Sequence, residues 1–195
     1  MSLLSELIQS FQILPGVGPK SAQRMSFHLL QKNKEAGVNL AETLKQACEN
    51  IKECERCRTL TENQFCKICK SGKRVPDKIC VVETPADLMQ IETSTDYNGT
   101  YFVLHGHLSP LDGLGPNELG FPQFIEILSQ EPIEEVIIAT NSTLEGETTA
   151  QYISQLCDSV NIEATALAHG VPLGGELEYV NANTIAHAFG SRRKL

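Results

Sequence analysis

The chain has 195 residues, 41% of them apolar, with no Trp and a net charge of −8. That length buries one moderate core, or one core with small appended modules. No apolar run approaches the ~20 residues of a membrane span, and the opening Met-Ser-Leu-Leu-Ser-Glu lacks the charged n-region and cleavage site of a secretory leader. A soluble cytoplasmic protein is expected.

The charge is divided along the chain. Residues 1–75 hold 12 Lys and Arg against 7 Asp and Glu, a net of +5, and residues 76–195 hold 4 against 17, a net of −13. From Ile79 to Ser191 there is no Lys or Arg.

Leu3, Leu4, Leu7, Ile8 and Phe11 recur at helical spacing, so residues 2–12 read as a short amphipathic helix. Leu14-Pro-Gly-Val-Gly-Pro-Lys-Ser-Ala22 follows, then a second helix with Ala22, Met25, Leu29 and Leu30 on one face. Helix, glycine hairpin, helix suits phosphate binding: Gly16 and Gly18 let the backbone approach, and the amides of the next helix point outward. Lys20 and Arg24, four apart, project to one side. Such contacts position a protein on a nucleic-acid backbone without reading sequence. Lys20-Ser21 is also the ending of a P-loop, but Pro19 stands where that motif has Gly and removes an amide. A plain αα-hairpin turn is the remaining alternative, and the two cations favour DNA. Leu40, Leu44, Ala47, Cys48 and Ile51 then mark a third helix over about residues 33–53.

Cys54-Glu-Arg-Cys57 and Cys66-Lys-Ile-Cys69 form two Cys-x2-Cys pairs eight residues apart. Four thiolates at that spacing suit one structural Zn²⁺ per chain, held tetrahedrally. A thioredoxin-like redox site needs one pair rather than two in tandem, and nothing suggests a disulfide-forming compartment. Cys48, Cys80 and Cys157 remain and are expected as reduced core residues. Arg56, Arg58, Lys67, Lys70, Lys73 and Arg74 ring the knuckle, and beside a basic hairpin they are expected to extend one electrostatic footprint on DNA, with Arg56, Arg58 and Lys67 as candidate contacts.

After residue 78 the pattern changes. Strands are expected at Ile79–Glu83, Tyr101–Leu104, Val136–Ala139 and Ile162–Leu167. Helices are expected from Pro85 (with Leu88, Met89 and Ile91 inside), over Pro122–Ser129 and over Thr148–Asp158. Alternating strands and helices imply a mostly parallel sheet covered on both faces, with ligands at the carboxyl ends of its strands, where Glu83 and Asn141–Glu147 fall. His105 and His107 flank Gly106 in a loop, with no third ligand to make a metal site. A turn at Gly174-Gly175 and a short helix over Asn183–Phe189 end the chain, followed by Arg192-Arg193-Lys194, a cluster that suits either DNA or a solvated terminus.

Leu14-Pro-Gly-Val-Gly-Pro-Lys-Ser-Ala-Gln-Arg-Met-Ser-Phe-His-Leu-Leu30, the four-cysteine knuckle, Cys80-Val-Val-Glu-Thr-Pro-Ala-Asp87, Leu108-Ser-Pro-Leu-Asp-Gly-Leu-Gly-Pro116 and Gly170-Val-Pro-Leu-Gly-Gly-Glu-Leu-Glu-Tyr179 together resemble the RecR family of bacterial recombination mediators. The resemblance covers nearly the whole chain in the family's order. It implies a multi-module α/β chain: a helix-hairpin-helix DNA-binding region (1–53), a zinc knuckle (54–76), a Toprim domain (77–173) and a C-terminal turn and helix that contacts a neighbouring subunit (174–195). The segment from residue 77 is similar to the Toprim domains of topoisomerases, primases and some nucleases. Active members pair a Glu, matched by Glu83, with an Asp-x-Asp, here Asn141 and Thr143, to hold Mg²⁺. With one carboxylate left and Glu145 and Glu147 displaced, a binding module without catalysis is expected. The alternative is a Mg-dependent nuclease or primase using Glu83, Glu145 and Glu147, and a zinc adaptor that binds only protein is the third reading.

The resemblance further implies binding of a RecO-like partner through the face carrying Glu83 and Asp87, to which Glu145 and Glu147 add negative charge, since an acidic patch suits a basic partner. Helix capping is the other use for these carboxylates. It also implies a tetrameric ring on single-stranded, duplex or gapped DNA that helps load RecA onto strands covered by single-strand-binding protein, in the bacterial cytoplasm at the nucleoid. Binding of RecF stays open. His169 stands where the family commonly has a basic residue, which argues against DNA contact by the Toprim segment.

Overall fold

A computed structural model describes residues 2–168, 170, 171, 174 and 176–190. His169, Pro172, Leu173, Gly175 and Arg192–Lys194, each named in an expectation above, lie outside the described residues. The chain divides into two compact units, Met1–Ile51 and Lys52–Leu195.

The first unit is helical. Ser2 opens α1 (Leu3–Phe11) by accepting a hydrogen bond from the Ser5 amide, Gly18 precedes α2 (Pro19–Lys32) with Pro19 at its first position, and Asn33 caps α3 (Lys34–Asn50) through the Ala36 amide. Gly16 takes φ +76° in the hairpin between α1 and α2, a left-handed conformation in which a Cβ is strained. Only Ala22 and Ser26 are buried among the described residues of this unit. Met25 and Leu30, on the apolar face read from the sequence, are 38% and 40% exposed, and Cys48, expected in the core, is exposed. Residue period alone cannot tell a face that packs within the unit from one left open, which is why the expectation for Cys48 fails.

The second unit begins with a short antiparallel ribbon, β1 (Lys52–Glu53) on β2 (Leu60–Thr61), that carries the cysteine knuckle. A four-stranded sheet follows, built from β3 (Lys78–Val82), β4 (Thr100–Val103), β5 (Glu135–Ala139) and β6 (Glu163–Ala166) in the order β4-β3-β5-β6, all parallel. Three helices complete it: α4 (Pro85–Ser94), α5 (Phe121–Gln130) and α6 (Leu144–Ser159). Alternating residues of one strand feed opposite faces. Ile79 and Val81 pack with Phe102, Phe124, Ile153 and Cys157 on one side, while Cys80 and Val82 pack with Tyr101, Val103 and Leu88 on the other. With β3 buried on both faces, an unbroken apolar run is what its sequence has to be. Met89, expected inside α4, is instead 57% exposed, one position past the buried Leu88. A final helix, α7 (Ala182–Gly190), follows a turn at Leu177–Tyr179. No helix among the described residues is long and apolar enough to cross a membrane.

Candidate functional site

In the hairpin, Gly16, Gly18, Lys20 and Arg24 are all exposed, and a Cβ built at either glycine would meet nothing within 4 Å. Neither cation has an ion-pair partner among the described residues. Lys20 and Arg24 also line one groove with His28 and Lys32. The four recur at every fourth position of α2, so a ridge of basic groups runs along one side of the helix. His28 and Lys32 were missed in the sequence, although their spacing was the signal that could have found them.

At the knuckle, the sulfurs of Cys54, Cys57, Cys66 and Cys69 lie within 4.8 Å of one another. Four thiolates about 2.3 Å from one ion would be separated by roughly 3.8 Å, so the cluster fits a tetrahedral metal. Main-chain amides already favour negative sulfur: Cys66 N donates to Cys54 Sγ at 3.2 Å and Cys69 N to Cys66 Sγ at 3.4 Å. Cys57 and Cys66 Sγ stand 3.6 Å apart, and their shared hydrogen bond is the chief cause that pulls the Cys66 thiol well below its ordinary value and pushes that of Cys57 up. Four thiolates this close repel one another, and a bound cation offsets that repulsion.

The knuckle is bound to the sheet edge. Val103 N of β4 donates to Cys57 O at 2.9 Å, and Gln123 Nε2 donates to Glu55 O at 2.6 Å. Arg56 donates through Nε to Glu131 Oε1 at 2.8 Å and through Nη2 to Thr100 Oγ1 at 3.1 Å. Arg58 takes φ +62°, donates to the Leu119 and Leu104 carbonyls and to Glu53, and lies over the Phe102 ring. The expectation that Arg56 and Arg58 belong to a free DNA footprint is therefore corrected: their guanidinium groups are turned into the protein, because carbonyls and a carboxylate from distant segments need donors there. Arg74 is likewise held by Glu92 and by the Tyr97 and Gly99 carbonyls. Lys67, Lys70 and Lys73 remain exposed.

At the carboxyl ends of β3 and β5, Glu83 is 3% exposed. Its Oε1 accepts from Asn141 N and its Oε2 from Asn141 Nδ2, both at 2.7 Å. Thr143 caps α6 by accepting from Gly146 N at 3.0 Å. Of the two positions where active Toprim domains carry carboxylates, one donates to Glu83 and the other starts a helix. His107 Nδ1 stands 3.5 Å from Glu83 Oε2, and His105 Nε2 2.7 Å from Arg58 O, so the two histidines serve different neighbours. Apart from the cysteines, no group of three His, Cys, Asp or Glu that could hold a metal occurs among the described residues.

The four carboxylates expected on one acidic face are placed unequally. Glu145 and Glu147 are exposed. Asp87 is half-buried and closes a capping box with Thr84, accepting from the Thr84 amide at 2.9 Å while Thr84 Oγ1 accepts from Asp87 N. Glu83 faces inward.

The chain matches three family descriptions: "RecR, helix-hairpin-helix" over residues 4–48, "Toprim domain" over 77–168 and "RecR, C-terminal" over 170–193. It is 51% identical over 193 residues to a protein of Saccharophagus degradans, covering 99% of this chain and 98% of that protein. It is 52% identical over 194 residues to one of Xanthomonas oryzae pathovar oryzae and 50% identical over 194 residues to one of Xanthomonas campestris pathovar campestris, covering 100% of this chain and 98% of each relative. All three are named Recombination protein RecR.

Proposed function

The chain belongs to the RecR family of recombination proteins in DNA repair, and from that premise we propose that it is a non-enzymatic mediator that holds DNA and recruits a RecO-like partner to it. DNA lies against the hairpin glycines and the ridge of Lys20 and Arg24, with Lys67 adding to the basic surface. The observation that carries this reading is the ridge itself, exposed cations beside an open glycine turn and the amides of a helix start. The structural ion is Zn²⁺, the metal that four thiolates in tetrahedral reach select. What supports a role without phosphodiester chemistry is that Glu83 is left as a lone carboxylate, with the neutral Asn141 bonded to it and Thr143 capping α6 where active Toprim domains carry carboxylates.

The acidic surface of the Toprim domain, with Glu145 and Glu147 outermost and Asp87 beside the end of β3, receives the basic partner, and Glu83 acts there from inside. Self-association into a tetrameric ring accounts for the first unit, whose Leu14, Phe27, Leu30, Val38, Leu40 and Leu44 are exposed although the unit buries almost nothing of its own. Four modest DNA contacts in one ring give avidity. The ring and its partner, RecF included where it binds, then help load RecA in the cytoplasm at the nucleoid. The boundaries 1–53, 54–76, 77–173 and 174–195 give the four modules their tasks.

The test is a reconstituted loading assay. RecA is added to gapped DNA covered by single-strand-binding protein, with the RecO-like partner, and its DNA-dependent ATP hydrolysis is followed. Addition of this chain should shorten the lag. A lag unchanged at all concentrations of the chain contradicts the mediator reading.

A further inference from the structure

A cleft of about 240 Å³ opens at the carboxyl ends of β5 and β6, between the start of α6 and the residues after β6. Its walls are apolar at Ile138, Ala150 and Leu167 and polar at Thr140, Asn141 and Glu147. We propose that this cleft is the receptor for one lysine or arginine side chain of the basic partner, a proposal that rests on the acidic-face reading above.

The cleft is held open by bonds within the chain. The Asn141 backbone amide and its Nδ2 both donate to Glu83 at 2.7 Å, and Thr140 Oγ1 donates to Gly146 O at 3.0 Å across the loop. Thr143 caps the helix that carries Glu147. A wall fixed in this way loses little entropy on binding. Size decides against a drug-sized or nucleotide ligand, whose sites run from about 300 to 1,000 Å³. It suits a single long side chain.

Charge decides the sign of that side chain. The N-terminus of α6 offers about half a positive charge, but Glu145 and Glu147 bring two carboxylates in its first turn, and no Lys or Arg occurs from Ile79 to Ser191. Glu147 has no ion-pair partner among the described residues. An anion is repelled here. A side chain with an aliphatic stem and a cationic head matches apolar walls with a carboxylate among them. Leu144 at 77% and Leu167 at 53% exposure extend the apolar surface around it, as expected of a contact point rather than a solvated acidic face.

Calorimetric titration of the intact chain with the RecO-like partner tests this, using wild type, Glu147→Gln, Ala166→Phe to fill the cleft, and Glu163→Gln as a control at the opposite end of β6. Thermal melts check that each variant folds. Wild-type binding weakened about tenfold by both cleft variants, with the control within about twofold, is the expected result. If Ala166→Phe does not fold, the smaller Ala166→Leu fills the cleft in its place, because Glu147→Gln alone weakens binding under either reading. Wild-type affinity in the variant that fills the cleft, or equal weakening by all three, overturns the cleft and leaves the acidic-face reading standing. A wild type that does not bind the partner at all overturns that reading, and the cleft with it.

Discussion

Glu83 is buried and both its carboxyl oxygens accept hydrogen bonds from Asn141, and this arrangement fixes what its neighbours can be. A Cβ on Gly146 would stand 2.0 Å from the Asn141 carbonyl oxygen and 3.0 Å from Glu83 Oε1, so this glycine is required by close approach. Gly146→Ala should lose about 1–3 kcal/mol in urea denaturation, and an unchanged midpoint would contradict the packing described. Arg74 and Glu92 give a prediction in pH. Their hydrogen bond is the chief cause holding the Glu92 carboxyl below its ordinary value. A depressed folded value means the stabilisation is present above the unfolded carboxylate range and is lost as pH falls through the folded value. Stability should therefore fall more steeply in wild type than in Arg74→Gln below about pH 4. Parallel acid limbs in pH-dependent unfolding would count against the pair.

Among the elements, the knuckle does more for the sheet than bind an ion. Strand β4 is an edge strand, and the hydrogen bond from Val103 N to Cys57 O, with Arg56 reaching Thr100, covers part of that edge. Removing the metal with a chelator should speed hydrogen exchange at the Val103 amide by more than about tenfold while β5 amides hold, since the cysteine loop that accepts the bond loses its tether. Equal exchange at Val103 with and without metal would show the knuckle and sheet to be independent. The sequence made this region half legible. The Cys-x2-Cys pairs and the apolar runs at Ile79–Val82 and Val136–Ala139 are local signals, and the structure has them where they were expected. The roles of Arg56 and Arg58 were not legible, because the groups they satisfy, at Glu131 and Leu119, lie 75 and 61 residues away. Likewise, Asn141 read as a lost metal ligand, and only its distance to Glu83 gives it a task of its own.

For the whole molecule, the proposed function makes the division of charge an assignment of partners. The half with net +5 carries the exposed ridge of α2, and the half with net −13 carries the exposed carboxylates of α6. Electrostatic binding to phosphates releases counterions, so affinity should fall with salt, and each lost phosphate contact should lower the slope by roughly one. The most direct test is an electrophoretic shift on gapped DNA at two salt concentrations, with and without Mg²⁺, comparing wild type with Lys20→Ala/Arg24→Ala. The account predicts a salt-sensitive shift that is lost in the double variant, with the DNA left intact in Mg²⁺. Magnesium-dependent cutting or strand synthesis, or a shift of the same size in the double variant, would contradict it.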